Sequence, residues 1–378
     1  MTTVGDTDPH TPLPYIHRDW GDGSLPTLYC PPTVRIDDTL GDLLDTQLLQ
    51  WAGEVGIHAG RLDKFRDDGF GRLAMLTHPD TDDLDALLLA AKMNAAWWAC
   101  DDYYGDETDL GADPTRLAPR LALVMSAMDP PPDAAQYTRQ LDAAVDGEPV
   151  LVALRSATTH LRRCATPAQV MRTCLTTFQM YVSWDAYGTW RRLGTPPPMW
   201  RYLAARQHDS FYTSMMLIDI VGGYELDANL FYENRFHRAL MAAGTASVLV
   251  NDLFSAAKEA ADDLPDSNAV MIIAREQGCT PRQASERTVA LHNHFVQAFE
   301  RDQRELADIE SPELRRYLRD TQAWMAGGLE WHNSSNRYHS QHEHQPSLSP
   351  ETTGRNEAVR KQLHEHRFTT VRHRAPHP

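Results

Sequence analysis

The 378-residue chain is poor in cysteine, and its five thiols are scattered. Cys30, Cys100, Cys164, Cys174 and Cys279 show no metal-type pairing, and their odd number argues against a disulfide framework. They read as reduced thiols, which points to the cytoplasm. No run of about 18 apolar residues is present, so no membrane span is expected. Positive charge is scarce too: 36 Lys and Arg stand against 52 Asp and Glu, a formal net charge of −16. That balance argues against a nucleic-acid partner, whose phosphates need a basic surface. It leaves anionic small molecules open, provided metal ions intervene. The first residues lack the basic start and apolar stretch of a signal peptide.

What is present is helix. With 42% hydrophobic residues the chain can bury a sizeable core. Residues 1–27, acidic and rich in Pro and Gly, read as a flexible leader, and 341–378 as a polar, disordered tail. Residues 28–340 carry nearly continuous helical periodicity with few strand signals, an all-α domain of about ten or more helices. Helix starts are expected at Thr81-Asp82, Thr166-Pro167, Pro196 to Pro198, Thr280-Pro281 and Ser311-Pro312. Breaks are expected at Pro130 to Pro132, at Gly222-Gly223 and near Pro265.

Three polar clusters interrupt apolar helices. Leu84, Leu88, Ala91, Ala95 and Trp98 form a stripe that continues into Asp102, with Asp101 on its edge and Asp106 a turn beyond. Carboxylates on an inward stripe repel one another unless a cation meets them. The other acidic pairs, Asp67-Asp68, Asp82-Asp83 and Asp262-Asp263, read as solvated surface.

The second cluster is Asn251, Ser255 and Glu259, at i, i+4 and i+8. Each four-residue step turns a helix by only about 40°, so the three face one way. Their amide, hydroxyl and carboxylate make a hard oxygen set suited to Mg²⁺. Lys258 lies on the same stripe, where an anion bridged to that metal would sit. The third cluster holds Arg206 and Asp209, which can pair at i, i+3, followed by Ser210.

Together these motifs resemble those of the bacterial class I terpene synthases, which carry an aspartate-rich motif and a motif of the form Asn-Asp-x-x-Ser-x-x-Lys-Glu. Asp101, Asp102 and Asp106 match the first, and Asn251 to Glu259 match the second without a gap. Arg206 resembles that family's diphosphate-sensing Arg, with Asp209 and Ser210 following it. Arg337-Tyr338 resembles its C-terminal Arg-Tyr pair. Leu28 to Pro32, Gly60 to Lys64, Gly69 to Leu73, His78 to Asp83, Gly222 to Glu225 and Trp331-His332 are similar to the actinobacterial 2-methylisoborneol synthases. Within the aspartate-rich motif, Tyr103, Tyr104 and Gly105 depart from the pattern.

The resemblance implies a single helical bundle around a central cavity and a lyase acting on a prenyl diphosphate. By that likeness Asp101, Asp102, Asp106, Asn251, Ser255 and Glu259 hold three Mg²⁺. Arg206, Lys258, Arg337 and Tyr338 donate to the diphosphate. The implied substrate is 2-methylgeranyl diphosphate and the implied product 2-methylisoborneol, with 2-methylenebornane or another mono- or sesquiterpene from the same fold as the alternative. Trp98, Phe178, Tyr187, Phe211 and Trp331 are candidate aromatics for the cavity wall. A chain-elongating prenyltransferase, which carries two Asp-rich motifs, and a non-catalytic helical module are the alternatives. A homodimer is a further open alternative.

Overall fold

The structure, a computed structural model, describes residues 8–105, 113–261, 268–335 and 337. Two short strands open it, β1 (Ile16–Arg18) and β2 (Leu28–Cys30), antiparallel with Ile16 opposite Cys30. Helices follow: α1 (Asp38–Val55), α2 (Leu62–Asp68), α3 (Phe70–Thr77), α4 (Leu84–Cys100), α5 (Pro114–Met128), α6 (Gln136–Asp146), α7 (Pro149–Cys164) and α8 (Pro167–Leu193). The second half holds α9 (Met199–Arg206), α10 (Phe211–Ser214), α11 (Ile218–Val221), α12 (Ala228–Phe231), α13 (Asn234–Ala261), α14 (Ala269–Gln277), α15 (Pro281–Leu306) and α16 (Pro312–Ser334). The all-α reading holds.

Most helices begin where their local chemistry directs. Thr166 and Thr280 each cap a helix through reciprocal bonds with Gln169 and Gln283, with Pro in the first turn. Ser311 caps α16, and Pro198 precedes α9. α4 starts slightly later than Thr81-Asp82 suggests, because Asp83 accepts from the Asp85 and Ala86 amides. The break at Gly222-Gly223 is present, with Gly223 at φ +70°, whereas Pro265 lies outside the described residues.

α4 occupies the centre. Its sequence shows one stripe, yet from Leu89 to Cys100 every residue but Lys92 is buried, so the helix is enclosed on all sides. α3, α1 and α7 pack on it, while α13 runs against α15 and α16. The stretch Asn234–Ala257 of α13 is long and apolar enough to cross a membrane, but 78% of that window is buried in the fold. It is a core helix. Two glycines permit close approach: a Cβ on Gly244 would lie 2.9 Å from Tyr212 Cβ, and one on Gly327 would collide with the Leu76 carbonyl.

Residues 8–27, within the stretch expected to be a loose leader, are held against the helices. The Leu13 amide donates to Gln322 Oε1 while Gln322 Nε2 donates to the Leu13 carbonyl, both at 2.9 Å. Arg18 pairs with Glu330 at 2.8 Å, and buried Trp20 packs on Phe254. Composition suggested looseness; the apolar side chains Leu13 and Trp20 and these long-range bonds prevail. The tail expected over 341–378 lies outside the described residues.

Candidate active site

The last turn of α4 passes into a π-helical turn, Asp101–Gly105. Such turns insert an extra residue and shift the direction of the side chains that follow. Asp101 and Asp102 are half-buried there. Arg191 of α8 donates to the Gly105 carbonyl at 2.9 Å, and the Tyr104 hydroxyl donates to Glu148 at 2.6 Å, so the turn is held from two sides. Asp106 lies outside the described residues.

Arg337 reaches this turn from the far end of the chain. Its guanidinium lies 3.4 Å from Asp102 and 3.3 Å from Asp68 at the end of α2. Asp68 is buried, contrary to the reading of Asp67-Asp68 as solvated surface. Burial pushes its carboxyl upward, partly opposed by Arg337. A faint signal existed: Asp68 falls three residues after buried Phe65, on the inward face of α2. Asp82 and Asp83 behave differently. Asp82 is an exposed partner of Arg35 and Asp83 is the cap of α4, while Asp262-Asp263 lies outside the described residues. His58, buried with φ +53°, stacks on Phe65 and meets the edge of Tyr103; burial lowers its pKa against the pull of Asp102.

On α13, Asn251 and Glu259 are half-buried and Ser255 is buried. The Ser255 hydroxyl accepts from Asn268 Nδ2 at 3.2 Å. Asn251 Nδ2 lies 3.4 Å from His332 Nε2, and His332 Nδ1 lies 2.7 Å from the Gly328 carbonyl. A carbonyl can only accept a hydrogen bond, so Nδ1 carries the ring proton and Nε2 accepts from the amide. The Asn251 oxygen is thereby turned toward Arg206 Nη2, at 3.3 Å. Burial drives the His332 pKa down to about 4, which keeps this acceptor neutral.

Arg206 is the centre of the third cluster. Nη1 bonds Asp209 at 2.5 Å, as the i, i+3 spacing suggests, and Nη2 bonds Asp252 at 2.7 Å. Asp252 also accepts from the Tyr202 hydroxyl and the Ala269 amide. Asp209 accepts from Trp184 Nε1, the Tyr187 hydroxyl and the Ser210 hydroxyl. Burial alone would lower the Arg206 pKa, but Asp252, Tyr202 and Asp209 overcome it and raise it. The guanidinium stays charged. Its buried Nε–H makes no hydrogen bond among the described residues. Ser210 sits at φ +48°, a costly conformation for a residue with a Cβ, at the kink that leads into α10.

Asp252 was not among the sequence candidates because one residue turns a helix by about 100°, away from the Asn251 stripe. It lies on the adjoining face, and Arg206 Nη2 reaches both residues. Lys258 lies on α13 but its side chain is outside the description, as is Tyr338.

Of the aromatic candidates, Trp98, Phe211 and Trp331 form one buried cluster with centroids 5.6 Å and 6.2 Å from Trp98. Tyr187 is buried against Asp209, as noted. Phe178 is 50% exposed on the outer face of α8, which removes it from any internal wall. The donors offered on α13 and the π turn are carboxylate, amide and hydroxyl oxygens, a set that fits Mg²⁺.

Comparison with known proteins shows the family. The family described as "Terpene synthase family 2, C-terminal metal binding" matches residues 92–298. The 2-methylisoborneol synthase of Streptomyces griseus is 32% identical over 82% of this chain and 71% of its own length. That of Saccharopolyspora erythraea is 31% identical over 82% and 89%. The crystal structure of the Streptomyces coelicolor A3(2) 2-methylisoborneol synthase with Mg²⁺ and 2-fluoroneryl diphosphate superposes with a TM-score of 0.78, at 31% identity, covering 82% of this chain and 96% of that one. The bonnadiene synthase of Allokutzneria albata is 27% identical over 83% and 86%. The chain therefore belongs to the class I terpene synthases, enzymes that cyclise prenyl diphosphates, and is of the 2-methylisoborneol synthase type.

Proposed function

We propose that this cyclase takes 2-methylgeranyl diphosphate, releases diphosphate and forms a bornane-type product, 2-methylisoborneol. Capture of the final cation by water gives the alcohol; loss of a proton gives 2-methylenebornane, the second reading. The observation that carries the site assignment is Arg206. A permanently charged, buried guanidinium, braced by Asp209 and Asp252, keeps its Nε–H for an incoming anion. The likeness to 2-methylisoborneol synthases supports the methylated C10 substrate.

In this reading Asp101, Asp102 and Asp106 bind metal from one side, and Asn251, Ser255 and Glu259 from the other. Three Mg²⁺ ions, when bound, supply the positive charge that stabilises the departing diphosphate. Arg206, Lys258, Arg337 and Tyr338 orient that diphosphate and donate hydrogen bonds to it, while Asp209 and Ser210 set the angle of Arg206. Trp98, Phe211 and Trp331 exclude water and offer aromatic faces to an allylic cation. The free, scattered thiols support a cytoplasmic enzyme; its assembly, monomer or homodimer, is read by sizing in solution.

The test is incubation of the purified chain with Mg²⁺ and geranyl, 2-methylgeranyl or farnesyl diphosphate, with products separated by gas chromatography. The highest kcat/KM is expected for the methylated C10 substrate. Preference for farnesyl diphosphate would overturn the substrate assignment and keep the reaction class. Turnover of none would overturn both.

A further inference from the structure

Away from the Arg206 network, the end of α7 meets the start of α4 at three side chains of ligating type. His160 and Cys164 stand at i and i+4 on α7, and Asp85 lies in the first turn of α4. Their ligand atoms all lie within 4.8 Å of one another. The His160 side chain is 95% buried, since only 5% of it is exposed, and its Nδ1 makes no hydrogen bond among the described residues. Nε2 lies 3.2 Å from Asp85 Oδ1, and Cys164 Sγ lies 3.8 Å from Asp85 Oδ2.

We propose that Asp85, His160 and Cys164 form a binding site for a borderline-soft divalent cation of the Zn²⁺ class. Ideal Zn–N, Zn–O and Zn–S lengths at the tetrahedral angle put N and O about 3.4 Å apart and S and O about 3.6 Å apart. The observed separations reach different oxygens of Asp85, Oδ1 from His160 and Oδ2 from Cys164, so the carboxylate turns or bridges as the three side chains draw in on one ion. Three protein ligands leave the fourth position to water. Thiolate and imidazole favour this class over Mg²⁺, which takes oxygen.

Two cations border the cluster. Arg163 Nη2 spans both Asp85 oxygens at 3.2 Å and 3.0 Å, and its side chain is 65% exposed. It leaves to solvent as the ion arrives, one positive charge replacing another on Asp85. Lys92 lies over the Trp51 ring at 5.7 Å and acts on Asp85 only through its field. Binding breaks the Cys164 S–H bond, forms an S–metal bond and releases one proton to solvent. Asp85 and Asp101 are separated by about 24 Å along the helix, so this site is distinct from the diphosphate centre. An ion here would tie α7 to the start of the helix that ends in Asp101.

The test is titration of the reduced, chelator-stripped full chain with Co²⁺ in excess Mg²⁺. One equivalent should produce a thiolate-to-cobalt band in the near ultraviolet, abolished by added Zn²⁺. Cys164→Ser should lose the band and release no proton, while Asp101→Asn keeps it. His160→Gln should weaken Co²⁺ binding at least tenfold, with circular dichroism confirming that each variant is folded. Absence of a thiolate band in the parent chain, or its survival in Cys164→Ser, overturns the proposal.

Discussion

Arg206 shows how much one residue depends on its partners. It is buried between two carboxylates, so removing one leaves charge without compensation in a low-dielectric surrounding. Asp252→Asn is therefore expected to destabilise the fold by about 3–5 kcal/mol, read from urea unfolding. His332 acts on a smaller scale, through the Asn251 amide. Its Nε2 lone pair fixes which end of the amide carries oxygen toward Arg206. His332→Ala frees that amide to flip, and the Mg²⁺ concentration for half-maximal turnover should rise about 10- to 100-fold. An unchanged Mg²⁺ requirement would remove His332 from the site.

At the scale of elements, close approach sets the geometry. α16 lies so near α3 that Gly327 has no room for a Cβ beside the Leu76 carbonyl. Backbone cannot yield as a flexible side chain can, so Gly327→Ala should cost at least about 1–3 kcal/mol. Gly53 on α1 is the control: nothing lies within 4 Å of its Cβ position, and its φ is ordinary. Gly53→Ala should stabilise by about 0.5–1 kcal/mol, through helix propensity and the entropy of the unfolded chain. Opposite signs for two glycine-to-alanine changes, measured in the same denaturant series, would confirm that spacing of helices decides the first. The expected helix starts at Thr166, Thr280 and Ser311 hold because capping is local. The end of α4 was less legible, since its π turn depends on Arg191 of α8 and on Glu148, the residue before α7.

Across the whole molecule, a buried acid links stability to pH. Asp320 of α16 accepts from the Tyr224 hydroxyl at 3.0 Å, and burial together with nearby Asp80 pushes its pKa up to about 8. The folded state thus binds a proton that the unfolded state sheds near the ordinary carboxylate range. Its contribution is complete below the unfolded pKa and is lost as pH rises through about 8. Asp320→Asn keeps the shape and removes the titration. Between pH 6 and 8 the variant should gain on the parent by about 1.4 kcal/mol per pH unit, measured by urea unfolding at both values. A gap that does not change with pH would show that Asp320 is ionised when folded.

Sequence by itself determined the all-α class and the stripe of Asn251, Ser255 and Glu259, because helical period is a property of consecutive residues. It also determined the Arg206–Asp209 pair, whose partners are three residues apart. Tertiary structure decided the rest. Asp252 meets Arg206 across 46 residues, and Arg337 meets Asp68 across 269, so no local pattern announces either. The same holds for Phe178, apolar yet turned outward, and for Asp68, charged yet buried. The order of residues 8–27 belongs with them, because Leu13 and Trp20 are held by α16 and α13. Periodicity specifies which face of a helix is apolar, but only packing specifies what that face meets.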